Sequence, residues 1–189
     1  MKIADIEELY ARGGFNEVKK DYRDLVDAFR HLRCREPIPN SDYLHGLYLT
    51  DLMFRSTSEN IRILSGMGES NWLRVLRDSL TKALERIKTK KGFLKAIFVG
   101  TGAPSKAILY LQNKFGTDTV KFITATAPEP VEHFIACDSH MLRLEKAHPP
   151  ITGDMDSSKI IASVYLYNPA RAKAKEEQFE LIWKDLETQ

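Results

Sequence analysis

The stretch Ile61-Arg62-Ile63-Leu64-Ser65-Gly66 decides the fold, because a short β-branched run that ends in a turn predicts a β-strand. A pattern of apolar residues repeating every three or four positions follows over 70–88 and predicts an amphipathic helix. Two further strands, 94–99 and 120–124, are separated by a second such helix over 104–115. This β-α-β-α-β alternation predicts parallel strands joined by right-handed crossovers.

The chain downstream of these strands has a different pattern. Short strands over 133–137 and 141–144 flank Asp138-Ser139, which predicts an antiparallel hairpin. A longer strand over 159–167 leads into Asn168-Pro169, where a helix cap and a first-turn proline begin the last helix. We therefore predict an α/β fold with a mixed, mostly parallel sheet that is flanked by helices.

The first forty residues read as helices outside this alternating pattern. Apolar side chains recur there at spacings of three and four, which keeps them on one face of a helix. These positions are Phe15, Val18, Tyr22, Leu25, Phe29 and Leu32. Two prolines then end the helix, and Ser41 is the expected N-cap of the next one. We therefore divide the chain into an N-terminal helical extension, 1–41, and an α/β domain, 42–189.

Global composition excludes several classes of protein. The 189 residues are 43% hydrophobic and 29% charged, which excludes collagen-like and wholly disordered chains. No apolar run approaches the roughly 18 residues that a membrane span needs, so we expect no membrane association. The acidic, amphipathic start is not a signal peptide, and Cys34 and Cys137 have neither metal-ligand nor disulfide-scaffold spacing. A reducing, cytoplasmic location is the expectation.

Charge is unevenly distributed although the net charge is only +2. Between Asn71 and Lys106, nine basic and two acidic side chains leave a local excess of seven positive charges. Such an excess is typical of surfaces that bind nucleic acid by counterion release. A solvated helix followed by lysines at its C-terminus also explains the excess, and it is the interpretation that the sequence favours. The candidate nucleic-acid-binding residues are Arg74, Arg77, Lys88, Lys90 and Lys91. No aromatic residue is interleaved with these charges, so the sequence does not predict a base-stacking platform.

Three segments, together with the order of the elements, resemble one half of the phospholipase D superfamily. They are the strand Ile61–Gly66, Cys137-Asp138 with its hairpin, and Tyr167-Asn168-Pro169-Ala170 running to Phe179-Glu180-Leu181-Ile182-Trp183. The resemblance covers roughly residues 42–189 and implies the α/β fold predicted above. Complete members of the superfamily place two modules face to face, so the resemblance also implies a homodimer for a chain with one module.

The catalytic motif of that superfamily is His-x-Lys with an Asp further along. Its His attacks phosphorus and its Lys binds phosphate oxygens. If Asp138 takes the Asp position, Val131 falls at the His position and His133 at the Lys position. Because valine has no lone pair, the resemblance implies a non-catalytic module that acts through protein or nucleic-acid binding, without a cofactor. The alternative is a phosphodiesterase or nuclease with a rearranged site, in which His133 or His140 is the nucleophile.

The remaining site residues surround the hairpin. His133 and Arg143 are candidates for a residual anion site that binds phosphate without cleaving it. Candidates for the former cleft are Asp138, His140, Glu145 and Ser65. Arg143 and Glu145 are two residues apart and share one face of a strand, either in this cleft or as a satisfied pair at a sheet edge.

A metal set of His133, Asp138 and His140 is disfavoured by spacing. His133 and Asp138 lie an odd number of positions apart, so on one extended strand they face opposite sides. Asp138 also occupies a turn position, where its side chain serves local hydrogen bonds. We therefore predict no metal site.

Overall fold

The computed structural model describes residues 1–38, 40, 42–66, 72–100, 105–127, 129–148 and 151–188. Within these ranges the α-helices are α1 (Ile3–Gly13), α2 (Lys20–His31), α3 (Tyr43–Ser56), α4 (Trp72–Val75), α5 (Arg77–Thr89), α6 (Lys106–Phe115) and α7 (Pro169–Glu187). The strands are β1 (Asn60–Gly66), β2 (Phe93–Val99), β3 (Val120–Ala125), β4 (His133–Cys137), β5 (Met141–Glu145) and β6 (Ala162–Tyr165). Short 3-10 turns occupy Gly14–Glu17 and Ser157–Lys159.

The strands form one six-stranded sheet in the order β3-β2-β1-β4-β5-β6. β1, β2 and β3 are parallel, with Ile63 opposite Ala96, and β4 continues the sheet antiparallel to β1. The β4–β5 and β5–β6 pairs are also antiparallel. The predicted α/β fold with a mixed sheet is confirmed. More of the strand pairs are antiparallel than expected, because β4, β5 and β6 extend the sheet from β1 through antiparallel pairs.

Helices cover both faces of this sheet. Helix α7 covers one face, where Phe179 and Trp183 pack against apolar side chains of the strands. Charged groups surround that contact, since Glu180 accepts hydrogen bonds from Arg62 (2.8 Å) and Lys95 (2.6 Å). The opposite face carries the larger core, to which the N-terminal helices and α3, α5 and α6 contribute.

The N-terminal helices share that larger core. The hydroxyl of Tyr10 on α1 donates a hydrogen bond to Asp51 on α3 (3.0 Å). The apolar face predicted over 15–32, the segment that contains α2, is only partly correct, because Leu32 is 80% exposed and Leu25 39% exposed. Val26 is fully buried in their place, since the helix begins after the 3-10 turn and presents a different stripe.

Two predicted elements differ in their limits. The predicted helix over 70–88 is divided into α4 and α5 at Leu76, and residues 67–71 lie outside the described ranges. The predicted strand over 159–167 shortens to β6, because Asp156 accepts a hydrogen bond from the Ser158 amide (2.9 Å) and begins a 3-10 turn.

The two predicted helix caps before α3 and α7 have different outcomes. Ser41 lies outside the described residues, and Asp42 caps α3 by accepting a hydrogen bond from the His45 amide (2.9 Å). The predicted cap at Asn168 is confirmed, because its side chain accepts a hydrogen bond from the Arg171 amide (3.2 Å). Among the described residues, no helix has the length and apolar character to cross a membrane.

Candidate functional site

A cavity of about 740 Å³ opens beyond the carboxyl ends of β1 and β2. Ser65 and Gly66 at the end of β1 line it, as do Val99 and Gly100 at the end of β2. The carboxyl ends of parallel strands are where α/β sheets usually bind ligands, since the connections diverge there. The predicted cleft residues Ser65 and Glu145 both line this cavity, together with His133 and Arg143.

Four polar side chains, which we call the cavity floor, form a cluster around the carboxylate of one of them, Glu145. His133 on β4 lies directly opposite Glu145 on β5 in the strand register, with its Nδ1 3.4 Å from Oε1. His148 follows β5 and places its Nε2 2.6 Å from the same oxygen. Arg143 donates to the other oxygen, Oε2. Glu145 is 4% exposed and His133 8% exposed, so the cluster is almost entirely buried.

The charge of the floor is balanced within the protein. Burial acts to raise the pKa of Glu145, but Arg143 and hydrogen bonds from His133 and His148 hold that pKa well below its usual range. Glu145 is therefore ionised at neutral pH and compensates the charge of Arg143. The floor is neutral overall as long as both histidines are neutral.

Positive charge is concentrated at the wall instead. Arg74 at α4, Arg77 at α5 and Lys106 at α6 line the cavity, and we call them the rim cations. The guanidinium of Arg77 lies 5.4 Å from the ring centre of Tyr110, another lining residue. Trp72 also lines the cavity, so aromatic side chains and cations share this site, which the sequence did not predict.

The predicted basic surface is not continuous. Lys88, Lys90 and Lys91 lie at and beyond the C-terminal end of α5, whereas Arg77 lies at its first residue. A helix rises about 1.5 Å per residue, so about 18 Å separates the two groups. Only the N-terminal group adjoins the cavity among the described residues.

The predicted residues Asp138 and His140 lie at the far end of the hairpin and are not among the described lining residues. The Asp138 carboxylate accepts hydrogen bonds from the amides of Ser58 (2.7 Å), Glu59 (2.8 Å) and Asn60 (2.9 Å). The Nδ1 atom of His140 lies 2.7 Å from the Asp138 carbonyl oxygen. The predicted separation of His133 from Asp138 is therefore observed.

Sequence reasoning missed several lining residues. His148 comes three positions after Glu145, beyond the end of a strand, and no motif spacing identifies it. Its place in a cluster of possible metal ligands becomes visible only in the tertiary structure. The ligand-type atoms that His133, Glu145 and His148 offer all lie within 4.8 Å of one another. Of the described residues, this is the group of three that brings metal-ligating atoms so close together. Thr50 and Trp72 were missed for the same reason.

Comparison with known proteins finds similarity in structure. No protein-family model matches the chain, and no curated protein matches it in sequence. Nuc from Salmonella typhimurium, a phospholipase D family member, is 15% identical with a TM-score of 0.50, over 72% of this chain and 85% of Nuc. TrmBL2, an archaeal chromatin protein with a novel mode of DNA binding, is 14% identical with a TM-score of 0.54, over 95% of this chain. The chain spans 64% of the length of TrmBL2.

Proposed function

Because the chain has a phospholipase D-like fold, we propose that it is a non-catalytic member of that group that binds nucleic acid through its cavity. The observation that carries this proposal is that the three rim cations and Val131 line one cavity. Val131 is the residue that the resemblance places at the position of the nucleophile. Cations bind the phosphate backbone, and valine cannot attack it.

The rim cations are suited to this role by their surroundings. Arg77 pairs only weakly with Asp78, at 3.6 Å between two largely exposed side chains, so its charge stays accessible to phosphate. Trp72 and Tyr110 line the cavity together with the cations, and aromatic rings are surfaces on which unpaired bases stack. The structural similarity to TrmBL2, whose reported property is DNA binding, supports the same choice. We therefore propose that single strands bind better than duplexes.

The residual anion site proposed at His133 and Arg143 has one supporting feature. The Nε atom of Arg143 is buried and has no hydrogen-bond partner among the described residues. A buried donor without an acceptor costs free energy, which an ordered acceptor recovers. Since Glu145 already accepts from Arg143, we assign the floor a secondary share of phosphate binding and the rim cations the main share.

The test is fluorescence anisotropy of labelled single-stranded DNA and RNA, titrated at several salt concentrations. A variant with Arg74, Arg77 and Lys106 all changed to Gln removes the rim cations. Its matched control changes Lys88, Lys90 and Lys91 to Gln, which removes the same charge at the other end of α5. We expect the rim variant to reduce the logarithmic salt slope by about 2, since a single strand releases about 0.7 counterions per phosphate contact. An equal loss in both variants would contradict binding at the cavity.

A second candidate function is phosphodiesterase activity with His133 as the nucleophile. The observation that favours it is the Glu145 carboxylate facing His133 Nδ1, since a carboxylate in that position orients an attacking imidazole. Hydrolysis of bis-p-nitrophenyl phosphate and of labelled DNA and RNA tests it, with and without metal. Turnover that disappears in His133→Ala and persists in His140→Ala would replace the non-catalytic proposal.

We also propose that the chain forms a homodimer, because complete members of the phospholipase D superfamily place two modules face to face and these 189 residues form one such module. Light scattering at micromolar concentration measures the assembly directly. A mass of one 21.6 kDa chain would contradict the dimer. The division of the chain at residue 41 and a cytoplasmic location remain proposals. If no nucleic acid binds, a protein partner becomes the preferred ligand.

A further inference from the structure

We propose that His133, Glu145 and His148 form a binding site for a zinc-like divalent ion at the cavity floor. Three atoms define the site: His133 Nδ1, Glu145 Oε1 and His148 Nε2. Oε1 lies 3.4 Å from Nδ1 and 2.6 Å from Nε2, and the ligand-type atoms that the three residues offer lie within 4.8 Å of one another. The proposal is independent of nucleic-acid binding.

The ligand set is chemically appropriate for zinc. Two imidazole nitrogens and one carboxylate oxygen are a donor set that zinc uses when it keeps a fourth position open. At bond lengths near 2.0 Å, the ligand atoms of a tetrahedral site stand about 3.3 Å apart. The two separations from Oε1 lie on either side of that value and the ligand-type atoms lie within 4.8 Å of one another, so side-chain shifts of at most about 1.5 Å would accommodate the ion.

Arg143 prepares the carboxylate for this geometry. It donates to Oε2, which leaves Oε1 as the oxygen that faces both histidines. Groups that hold the outer atoms of metal ligands in this way orient the ligands and strengthen metal binding. The charge of Arg143 is offset by Glu145, so the ion enters a floor with no net charge rather than a cationic one.

The backbone also supports the site. His133 and Glu145 are register partners on β4 and β5, and the edge of the His148 ring meets the face of the His133 ring, with centres 4.7 Å apart at 83°. All three residues line the cavity. The fourth coordination position therefore faces space that water or a ligand group can reach.

The first experiment measures Zn²⁺ binding by isothermal titration calorimetry. The protein carries no histidine tag, has been treated with chelator, and contains Cys34→Ser so that the partly exposed thiol does not contribute. We expect one ion per chain. His133→Ala and His148→Ala should each weaken Zn²⁺ affinity by more than about 100-fold, because loss of outer-shell partners alone costs about 10- to 100-fold. The matched control is His140→Ala, which changes a histidine of the same hairpin outside the cavity and should leave the affinity unchanged.

Circular dichroism establishes which variants are folded, and a Co²⁺ titration gives a second readout on the wild-type protein. We expect visible absorption bands typical of four-coordinate Co²⁺ bound to nitrogen and oxygen, displaced by one equivalent of Zn²⁺. The proposal is overturned if the wild-type protein binds no stoichiometric Zn²⁺, if folded His133→Ala and His148→Ala both keep wild-type affinity, or if His140→Ala loses as much affinity as they do. Nucleic-acid binding measured in chelator tests the proposed function separately, so the two proposals can fail independently.

Discussion

Replacement of Asp138 tests whether this residue acts in structure rather than in the cavity. Its carboxylate accepts three backbone amide hydrogen bonds, from Ser58, Glu59 and Asn60, and so ties the hairpin to the start of β1. Asp138 has a positive φ of 50°, which glycine and asparagine both tolerate. Asp138→Gly and Asp138→Asn therefore remove hydrogen bonds without adding backbone strain.

The expected magnitude follows from the number of bonds. A hydrogen bond to a charged group contributes about 1.5 to 3 kcal/mol, and these amides are partly exposed, so the low end applies. Asp138→Gly loses three bonds and should destabilise by about 4.5 kcal/mol. Asp138→Asn keeps one oxygen as acceptor for two amides and turns its NH₂ group toward the third, for a cost of about 2 kcal/mol.

Urea denaturation followed by circular dichroism measures both values. The control is Asp78→Asn, whose carboxylate is 87% exposed and should change stability by less than about 0.5 kcal/mol. Nucleic-acid affinity of the folded Asp138 variants should equal that of the wild-type protein. Unchanged stability in Asp138→Asn, or a loss of nucleic-acid binding at unchanged stability, would refute the structural role.

Three further predictions concern the core and its charged border. Burial raises the pKa of Cys137 to about 12, so a thiol reagent at pH 8 should modify one thiol per native chain and two after unfolding, and two in the native chain would contradict the buried placement. Burial acts to raise the pKa of Glu180, but hydrogen bonds and charge from Lys95 and Arg62 lower it below the unfolded value of about 4.3. The ionised Glu180 therefore stabilises the folded protein above that unfolded pKa, and this contribution is lost as the pH falls through the lower folded pKa. Glu180→Gln should therefore flatten the acid side of the stability profile, by less than about 1 kcal/mol because the side chain is 38% exposed. Phe179→Ala should cost about 3 to 5 kcal/mol in urea denaturation, since the ring is fully buried between α7 and the sheet, and a cost below about 1 kcal/mol would contradict that packing.

Much of the fold was predictable because its signals are local. The parallel order of β1, β2 and β3 follows from strands that alternate with amphipathic helices. Asp138-Ser139 forms the predicted tight turn, with positive φ at both residues. The limits of β6 were not predictable from apolar pattern, because the Asp156 side chain competes for a backbone amide.

Part of the site was also predictable from local pattern, and part was not. Strand alternation placed Arg143 and Glu145 on one face, and both residues do line the cavity. His148 lies three residues beyond Glu145, after the end of β5, and no spacing rule places its ring against that carboxylate. The basic run along α5 also looked uniform, since periodicity identifies the face of a helix but not which of its ends meets a cavity.

The sequence by itself determined the order of the helices and strands and the hairpin, because each depends on neighbours within a few residues. Only the tertiary structure decided that His133 and His148 share one carboxylate oxygen, and that Arg77 rather than Lys88 adjoins the cavity. These contacts join segments that are brought together by sheet register and helix packing. Their geometry depends on the whole core, which no local pattern encodes.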